Sequence, residues 1–169
     1  VVQGANYPDL RKRCAQELSE MDFDGYNFGG FVVNDEGQLV LDEMKAVVDN
    51  TPKDKFKYAM GVGKPQDIRN AAEIGYKVFD TVLVTRNARH GTLYSSDVDG
   101  EVLRISNAEY ATDQRPIDSK CDCYTCKNHS RAYVHQMLKV GEATGMTLAT
   151  IHNLRYYQRL IETLSQPCP

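Results

Sequence analysis

Residues 56–84 read FKYAMGVGKPQDIRNAAEIGYKVFDTVLV, and this stretch decides the fold prediction. Phe56–Met60 is typical of a strand, and it is followed by a glycine turn and a helical pattern over Pro65–Ile74. Val78–Val84 then predicts a second strand with one charge in its middle. A strand, a helix and a second strand in this order predict a parallel βαβ unit, whose ligands bind beyond the carboxyl ends of the strands.

The same alternation of strands and helices is predicted upstream of this unit. Val1–Gly4 predicts the end of a strand, and a helix follows over about Tyr7–Met21. Gly25–Val33 predicts the next strand with its exit loop, and a helix follows over about Leu39–Asn50. Parallel strands in this number fit either a small doubly wound sheet or half of an eight-stranded barrel. Because the first strand begins abruptly, we predict an α/β fold in which residues 1–91 form the second half of a (β/α)8 TIM barrel.

The alternation of strands and helices ends after the fourth predicted strand. A turn at Asp99–Gly100 predicts a β-hairpin, and a polar connection follows it. Two helical patterns close the chain, over about residues 130–144 and 147–164. We therefore predict a second region over residues 92–169, appended to the half barrel and containing a cysteine-rich loop.

Composition excludes several classes of protein. The chain has 169 residues with a formal net charge of −3, and 41% of its residues are hydrophobic. This balance is typical of a globular protein and unlike that of a disordered chain. No apolar run approaches the roughly 20 residues that a membrane span needs, so we expect no membrane partner. The mild acidity argues against a surface that binds nucleic acid everywhere, although a local basic patch is compatible with it.

Three of the five cysteines crowd into one short segment: Cys121, Cys123 and Cys126. An odd cysteine count with a tight triplet fits a disulfide framework poorly and a metal site well. Metal-binding thiols also indicate a reducing compartment, so we expect a cytoplasmic protein.

The spacing leaves three candidates for a fourth metal ligand: His129, His135 and His152. We favour His152, because a helix and a turn at Gly145 let the chain return to the cysteines. A site closed by four protein ligands has no position for substrate, so we expect structural Zn²⁺ that holds the hairpin and the last helices together. The alternative is three free thiols without a metal, which would be open to oxidation.

One carboxylate and several cations follow the predicted strands. Asp80 interrupts an apolar strand, where a carboxylate is costly unless it is paired or used. It is either a buried acid that accepts hydrogen bonds from a loop, or a nucleophile or general base at the strand end. Arg86, Arg89 and Lys64 lie in the loops that follow, where they either bind phosphates or form solvated charged loops.

Several short motifs occur in a fixed order along nearly the whole chain. In this combination, the chain resembles the C-terminal half of a bacterial-type tRNA-guanine transglycosylase (queuine tRNA-ribosyltransferase). The motifs are Val2-Gln3-Gly4, Gly25-Tyr26 with Gly29-Gly30, Tyr58 to Pro65, Phe79-Asp80, Thr85 to Gly91, Pro116-Ile117-Asp118, the cysteine triplet, Ser130 to Tyr133, and His152-Asn153.

The resemblance implies an activity and a set of site residues. Asp80 matches the family's nucleophile, which attacks C1′ of the wobble guanosine, expels guanine and forms a covalent tRNA ester. A 7-deazaguanine, either preQ1 or queuine, then displaces the carboxylate. Gln3 and Gly30 match positions that hydrogen-bond the base, and Met60 matches one that packs against it. Phe31 stands where the family usually has Leu or Ala, a difference that bears on which 7-substituent fits.

The resemblance also implies how RNA and metal are bound. Lys64, Arg86 and Arg89 match residues that line the path of the tRNA anticodon loop. The cysteine triplet and His152 match the family's zinc ligands. Family members form dimers through the zinc-binding region, so a homodimer is expected.

The family's N-terminal half supplies a second acid and an aromatic residue that stacks on the base. Neither position occurs in these 169 residues. The resemblance therefore implies that the chain is inactive alone and needs an N-terminal half-barrel chain. The alternatives are a non-catalytic tRNA-binding or assembly module and a zinc-stabilised α/β domain without RNA affinity.

Overall fold

The computed structural model describes residues 1–165, and these form two compact units that divide between Thr81 and Val82. We call them the N-terminal unit and the C-terminal unit. Among the described residues, no helix combines the length and the apolar character that crossing a bilayer requires.

The N-terminal unit is a parallel three-stranded sheet with three helices, and its order confirms the predicted alternation. The strands are adjacent in chain order, and Val2 adds a single parallel bridge to Phe28 at the outer side of the first strand. Its elements are α1 (Pro8–Ser19), β1 (Gly25–Phe28), α2 (Leu41–Asp49), β2 (Phe56–Met60), α3 (Pro65–Glu73) and β3 (Val78–Asp80).

Local sequence explains the start and the packing of these helices. Pro8 and Pro65 begin α1 and α3, where a residue without an N–H loses no helical hydrogen bond. Ile68 and Ala71 are buried on one face of α3, and Met44 and Val47 are buried on one face of α2. The sheet contributes Tyr26, Phe28 and Ala59 to the buried core of the same unit.

The prediction of a long fourth strand over Val78–Val84 is wrong, because β3 ends at Asp80. A helix, α4 (Leu83–Arg89), follows within the segment that was expected to be strand and loop. The amide of Arg86 donates to the carbonyl of Val82, and Val84 and Ala88 are buried one turn apart on the same helix face. A short apolar run of this kind does not distinguish a strand from a buried helix face by pattern alone.

The C-terminal unit contains the predicted hairpin and three further helices. The hairpin is confirmed, because β4 (Thr92–Tyr94) pairs antiparallel with β5 (Val102–Arg104). The helices are α5 (Tyr124–Asn128), α6 (Arg131–Lys139) and α7 (Ala143–Leu164). A small core joins them, formed by Ala88, Leu93, Leu103, Ile105, Ile117, Val134 and Ala149.

The break between the last two helices falls earlier than predicted. Gly141 ends α6 with a φ of +76°, and the amide of Glu142 donates to the carbonyl of Met137. Gly145, the expected turn, lies inside α7 instead. A Cβ on Gly145 would come within 2.8 Å of the Met137 side chain, so this glycine lets α6 and α7 approach closely.

The two units divide at a different place from the predicted boundary at residues 91 and 92. The reason is that α4 packs against α7 and therefore belongs to the C-terminal unit. A mixed α/β fold with a parallel sheet is confirmed. Residues 1–165 do not themselves close a barrel.

Candidate active site and metal centre

Three cysteines and one histidine converge in the C-terminal unit: Cys121, Cys123, Cys126 and His152. Their ligand atoms all lie within 4.8 Å of one another, and Nδ1 of His152 is 3.2 Å from Sγ of Cys126. Cys123 caps the N-terminus of α5, since its sulfur accepts a hydrogen bond from the amide of Cys126. The short helix α5, which sequence reasoning missed, therefore turns the cysteines toward α7.

The orientation of His152 suits a metal ligand. Its side chain is fully buried, and Nε2 lies 2.6 Å from the carbonyl oxygen of Tyr94. A carbonyl only accepts hydrogen bonds, so Nε2 carries the hydrogen and Nδ1 presents its lone pair to the thiols. The other two candidates lie elsewhere: Nδ1 of His135 donates to the carbonyl of Ile105, and His129 stacks on Tyr133.

The electrostatics of the cluster also favour a bound cation. Hydrogen bonds from the thiols of Cys121 and Cys126 lower the pKa of Cys123 to about 3. The same crowding raises the pKa of Cys126 far above its ordinary value. Deprotonation of Cys123 is thus favoured, and deprotonation of Cys126 is opposed. A metal dication bound to the sulfur atoms would stabilise the thiolate form of both cysteines. Three sulfurs and one imidazole are compatible with tetrahedral zinc.

Asn153, which follows His152, anchors the metal ligand's helix. Its Nδ2 donates to the carbonyls of Val84 and Thr92, both at 3.1 Å, and its Oδ1 accepts from the amide of Tyr94 at 3.2 Å. The side chain is fully buried, so these bonds satisfy its polar atoms inside the core. Asn153 therefore fixes the backbone of Tyr94, whose carbonyl orients His152.

Asp80 ends β3 at the carboxyl edge of the parallel sheet, beside Met60 of β2. Its Oδ1 accepts a hydrogen bond from the hydroxyl of Tyr58 at 2.7 Å and one from the amide of Gly61 at 3.1 Å. The interpretation of Asp80 as an acid embedded in an apolar strand is wrong, because the strand ends at this residue and the side chain is exposed. The contact with Tyr58 raises the pKa of that phenol, which keeps it a donor.

The other predicted base-binding residues lie at the same edge of the sheet. Gly30 follows β1 with a φ of +111°, a conformation that favours glycine. Gln3 lies against the same loop, since a Cβ on Gly29 would come 2.7 Å from its Nε2. Met60 is 44% exposed. Its sulfur atom lies 3.9 Å from Nδ2 of Asn27. The N-terminal unit thus places Gln3, Gly30 and Met60 on the side of the sheet that carries Asp80.

Arg11 of α1 ties together the loops that contain Gln3 and Gly30, a role that sequence reasoning missed. Its guanidinium donates to the carbonyls of Val2, Ala5 and Gly29, at 3.3, 2.7 and 3.2 Å. It also lies 4.2 Å from the centre of the Phe28 ring. The side chain is 2% exposed, and burial lowers its pKa. Only the capacity of an arginine to donate in several directions satisfies these carbonyls together.

We expect Arg11→Met to lower the free energy of unfolding of the N-terminal unit by about 3 kcal/mol, because it removes the side-chain donor to the buried Gly29 carbonyl and the donors to the Val2 and Ala5 carbonyls. Urea titration followed by circular dichroism measures the change. Arg13→Met on the same helix is the matched control, since Arg13 is exposed and forms a surface ion pair with Glu17. Its effect should stay within about 0.5 kcal/mol. If the two variants lost equal free energies of unfolding, Arg11 would not hold the two loops together.

The predicted phosphate-binding cations are all exposed. Lys64 precedes α3, and its Nζ donates to the carbonyl of Gly37 at 3.3 Å in the N-terminal unit. Arg86 and Arg89 lie in the C-terminal unit on α4, not in a loop, and are three positions apart on that helix. Side chains with this spacing share a helix face.

The fold and these sites define an α/β protein with a Cys3His cluster able to hold a metal ion and a carboxylate at the sheet's carboxyl edge. The family model described as queuine tRNA-ribosyltransferase matches residues 1–167, and the chain belongs to that family. This confirms the resemblance carried by the motifs.

Individual relatives agree with the family match. The queuine tRNA-ribosyltransferase of Psychrobacter cryohalolentis is 46% identical over 166 residues, covering 97% of this chain. Those of Blochmanniella floridana and Vibrio vulnificus are 47% and 46% identical, covering 98% and 97% of this chain. The chain spans 43% of the length of each of these relatives.

Proposed function

We propose that this chain carries the nucleophile of a tRNA-guanine transglycosylase, which replaces the wobble guanine of a tRNA anticodon with a 7-deazaguanine. The observation that carries the proposal is the exposed Asp80 carboxylate, held by Tyr58 and Gly61 at the carboxyl edge of a parallel sheet. Ligands of α/β folds bind at this edge. Membership in a family described as queuine tRNA-ribosyltransferase supports a reaction at a tRNA ribose.

In the proposed reaction, an oxygen of Asp80 attacks C1′ of the wobble guanosine as the bond from C1′ to the base breaks. The electron pair of that bond leaves with guanine, which takes a proton, and an ester joins Asp80 to the ribose. The incoming base loses a proton as its nitrogen attacks C1′, and the carboxylate of Asp80 departs. Two displacements at one carbon retain its configuration, and the energy of one glycosidic bond is exchanged for that of another, so no ATP is needed.

The surrounding residues of the N-terminal unit prepare this step. The hydrogen bonds from Tyr58 and Gly61 fix the orientation of the Asp80 carboxylate. In the proposal, Gln3 and the backbone of Gly30 hydrogen-bond the base, and the exposed side chain of Met60 packs against it. Whether preQ1 or queuine is the preferred base is then a matter of the space beside Gly30.

Binding of the RNA and of the metal completes the proposal. Lys64, Arg86 and Arg89 would contact phosphates of the anticodon loop, where unpaired bases are easily unstacked. The Cys3His cluster would hold Zn²⁺, which would link α5 to α7 and would take no part in the base exchange. Cysteines that hold a metal rather than form disulfides support a reducing, cytoplasmic setting.

We further propose that the N-terminal unit is half of a TIM barrel that a second half-barrel chain completes. The family membership and the 43% coverage of the relatives support this arrangement. Exposed apolar side chains on β2 and β3 also support it, since Phe56 and Val78 leave 45% and 41% of their surfaces uncovered. A homodimer of the completed enzyme belongs to the same proposal.

The proposed function is tested by co-expressing this chain with the N-terminal part of a relative. We expect no exchange of radioactive guanine into tRNA by this chain alone, because the second acid and the stacking residue lie outside it. Co-expression with the N-terminal part of the Psychrobacter cryohalolentis relative should restore exchange. Robust exchange by this chain alone, or none by the assembled pair with a correctly folded partner, would contradict the proposal.

A further inference from the structure

The residues that separate the three clustered cysteines make contacts of their own with α7. Asp122 lies in the first gap of the triplet, and Thr125 lies in the second. Their partners on α7 are Arg155, three positions after His152, and Leu148, four positions before it. Because a helical turn takes 3.6 residues, each partner lies about one turn from the histidine. The cysteine loop is therefore joined to α7 on both sides of the imidazole that completes the cluster.

The contact after His152 is a two-point ion pair. Nε of Arg155 donates to Oδ1 of Asp122 at 2.6 Å, and Nη2 donates to Oδ2 at 3.1 Å. Nη1 of the same guanidinium donates to the two carboxylate oxygens of Glu162, at 3.0 and 3.2 Å. The guanidinium is thus held by carboxylates from two directions. Two parallel bonds between planar groups fix the orientation of Asp122 relative to α7 as well as its distance.

The contact before His152 is a buried hydrogen bond. Oγ1 of Thr125 donates to the carbonyl of Leu148 at 2.7 Å, and the threonine is fully buried. In an α-helix, the carbonyl of residue 148 is also the acceptor for the amide of residue 152. A carbonyl oxygen accepts two hydrogen bonds, so both are satisfied. The Thr125 hydroxyl therefore bonds to the same carbonyl that holds the backbone of the histidine ligand.

We infer that Asp122, Thr125 and Arg155 are positioning residues for the metal, because they hold the cysteine loop and His152 in one relative placement. A tetrahedral ion requires its four ligands in a single arrangement, and a loop free to shift along α7 would hold it less tightly. Groups outside the ligand set that orient the ligands commonly raise metal affinity roughly tenfold or more. This inference rests on the proposed zinc, and it involves no group that takes part in base exchange.

The first experiment measures the rate at which the zinc-loaded chain releases Zn²⁺ to an excess of a chelating dye. Thr125→Val removes the hydroxyl with little change in size, and Thr125→Ser keeps it. We expect release to be about three- to tenfold faster in Thr125→Val and close to the unmodified rate in Thr125→Ser. Thr163→Val is the matched control, since the Thr163 hydroxyl bonds to the carbonyl of Arg159 within α7, and it should release zinc at the unmodified rate.

The same measurement tests the ion pair. Arg155→Gln removes the two-point contact with Asp122, and we expect zinc release about threefold faster, since the pair is partly exposed to water. Glu162→Gln is the matched control, because it removes the other ion pair of Arg155 and leaves the contact with the cysteine loop. It should release zinc at the unmodified rate. Circular dichroism establishes that each loaded variant is folded.

A second experiment separates positioning from general stability. Co²⁺ is loaded in place of zinc, since its visible absorption bands depend on the arrangement of its ligands. We expect these bands to shift or broaden in Thr125→Val and Arg155→Gln and to stay unchanged in the two control variants. A residue that only stabilises the fold would leave the bands unchanged.

The outcomes distinguish this inference from the proposals on which it rests. Unchanged release in Thr125→Val and Arg155→Gln, faster release with unchanged cobalt bands, or equally fast release in the controls would overturn the positioning role alone. Failure of the unmodified chain to bind stoichiometric Zn²⁺ would overturn the proposed metal together with this inference. The presence or absence of base exchange changes none of these results.

Discussion

Asp80→Asn is expected to lower the rate of guanine exchange by the assembled enzyme by at least about 10³-fold, because an amide cannot form the ester with C1′. The substitution keeps an oxygen that can accept the hydrogen bonds from Tyr58 and Gly61, so folding and RNA affinity should change little. Single-turnover exchange of labelled guanine measures the rate, and filter binding measures the affinity.

Two further variants make the interpretation of this result specific. Asp24→Asn replaces an exposed carboxylate before β1, outside the site, and should exchange guanine at the unmodified rate. Tyr58→Phe removes one hydrogen bond to Asp80 and should lower kcat about tenfold with little effect on KM. If Asp80→Asn retained more than a tenth of the activity, Asp80 would not be the nucleophile.

Removal of the metal is expected to have the second large effect. Structural zinc in small domains contributes on the order of 10 kcal/mol, so the metal-free chain should lose the cooperative unfolding of its C-terminal unit. We expect chelation to abolish the cooperative melting transition of that unit. Circular dichroism follows the melting, and elemental analysis should give one zinc per chain.

Cysteine variants connect this effect to the cluster. Cys126→Ser should abolish stoichiometric zinc binding and reproduce the melting behaviour of the chelated chain. Cys14→Ser is the matched control, since Cys14 lies in α1 of the N-terminal unit, far along the chain from the cluster. Full zinc retention by Cys126→Ser, or unchanged melting of the metal-free chain, would contradict a structural role for the metal.

The parts of the site that depend on local pattern were predictable. The tight spacing of the cysteines and the return of the chain at His152 identified the cluster, because soft ligands in one loop have few other uses. The alternation of strands and helices likewise identified the parallel sheet.

The parts that depend on long-range contacts were not predictable. Nothing in the sequence around Arg11 marks it as buried, since its partners are carbonyls contributed by distant loops. Tyr58 reaches Asp80 only through the register of β2 with β3. The apolar run after Asp80 fits a strand as well as a helix, and its packing against α7 decides between them.

Trapping the covalent intermediate tests most directly whether Asp80 is the nucleophile. The assembled enzyme is incubated with an anticodon stem-loop RNA without an incoming 7-deazaguanine, then denatured, digested and analysed by mass spectrometry. We expect a ribose ester on the peptide that contains Asp80, cleaved by hydroxylamine and absent from Asp80→Asn. An adduct on another residue, or exchange of guanine without any adduct, would contradict this role of Asp80.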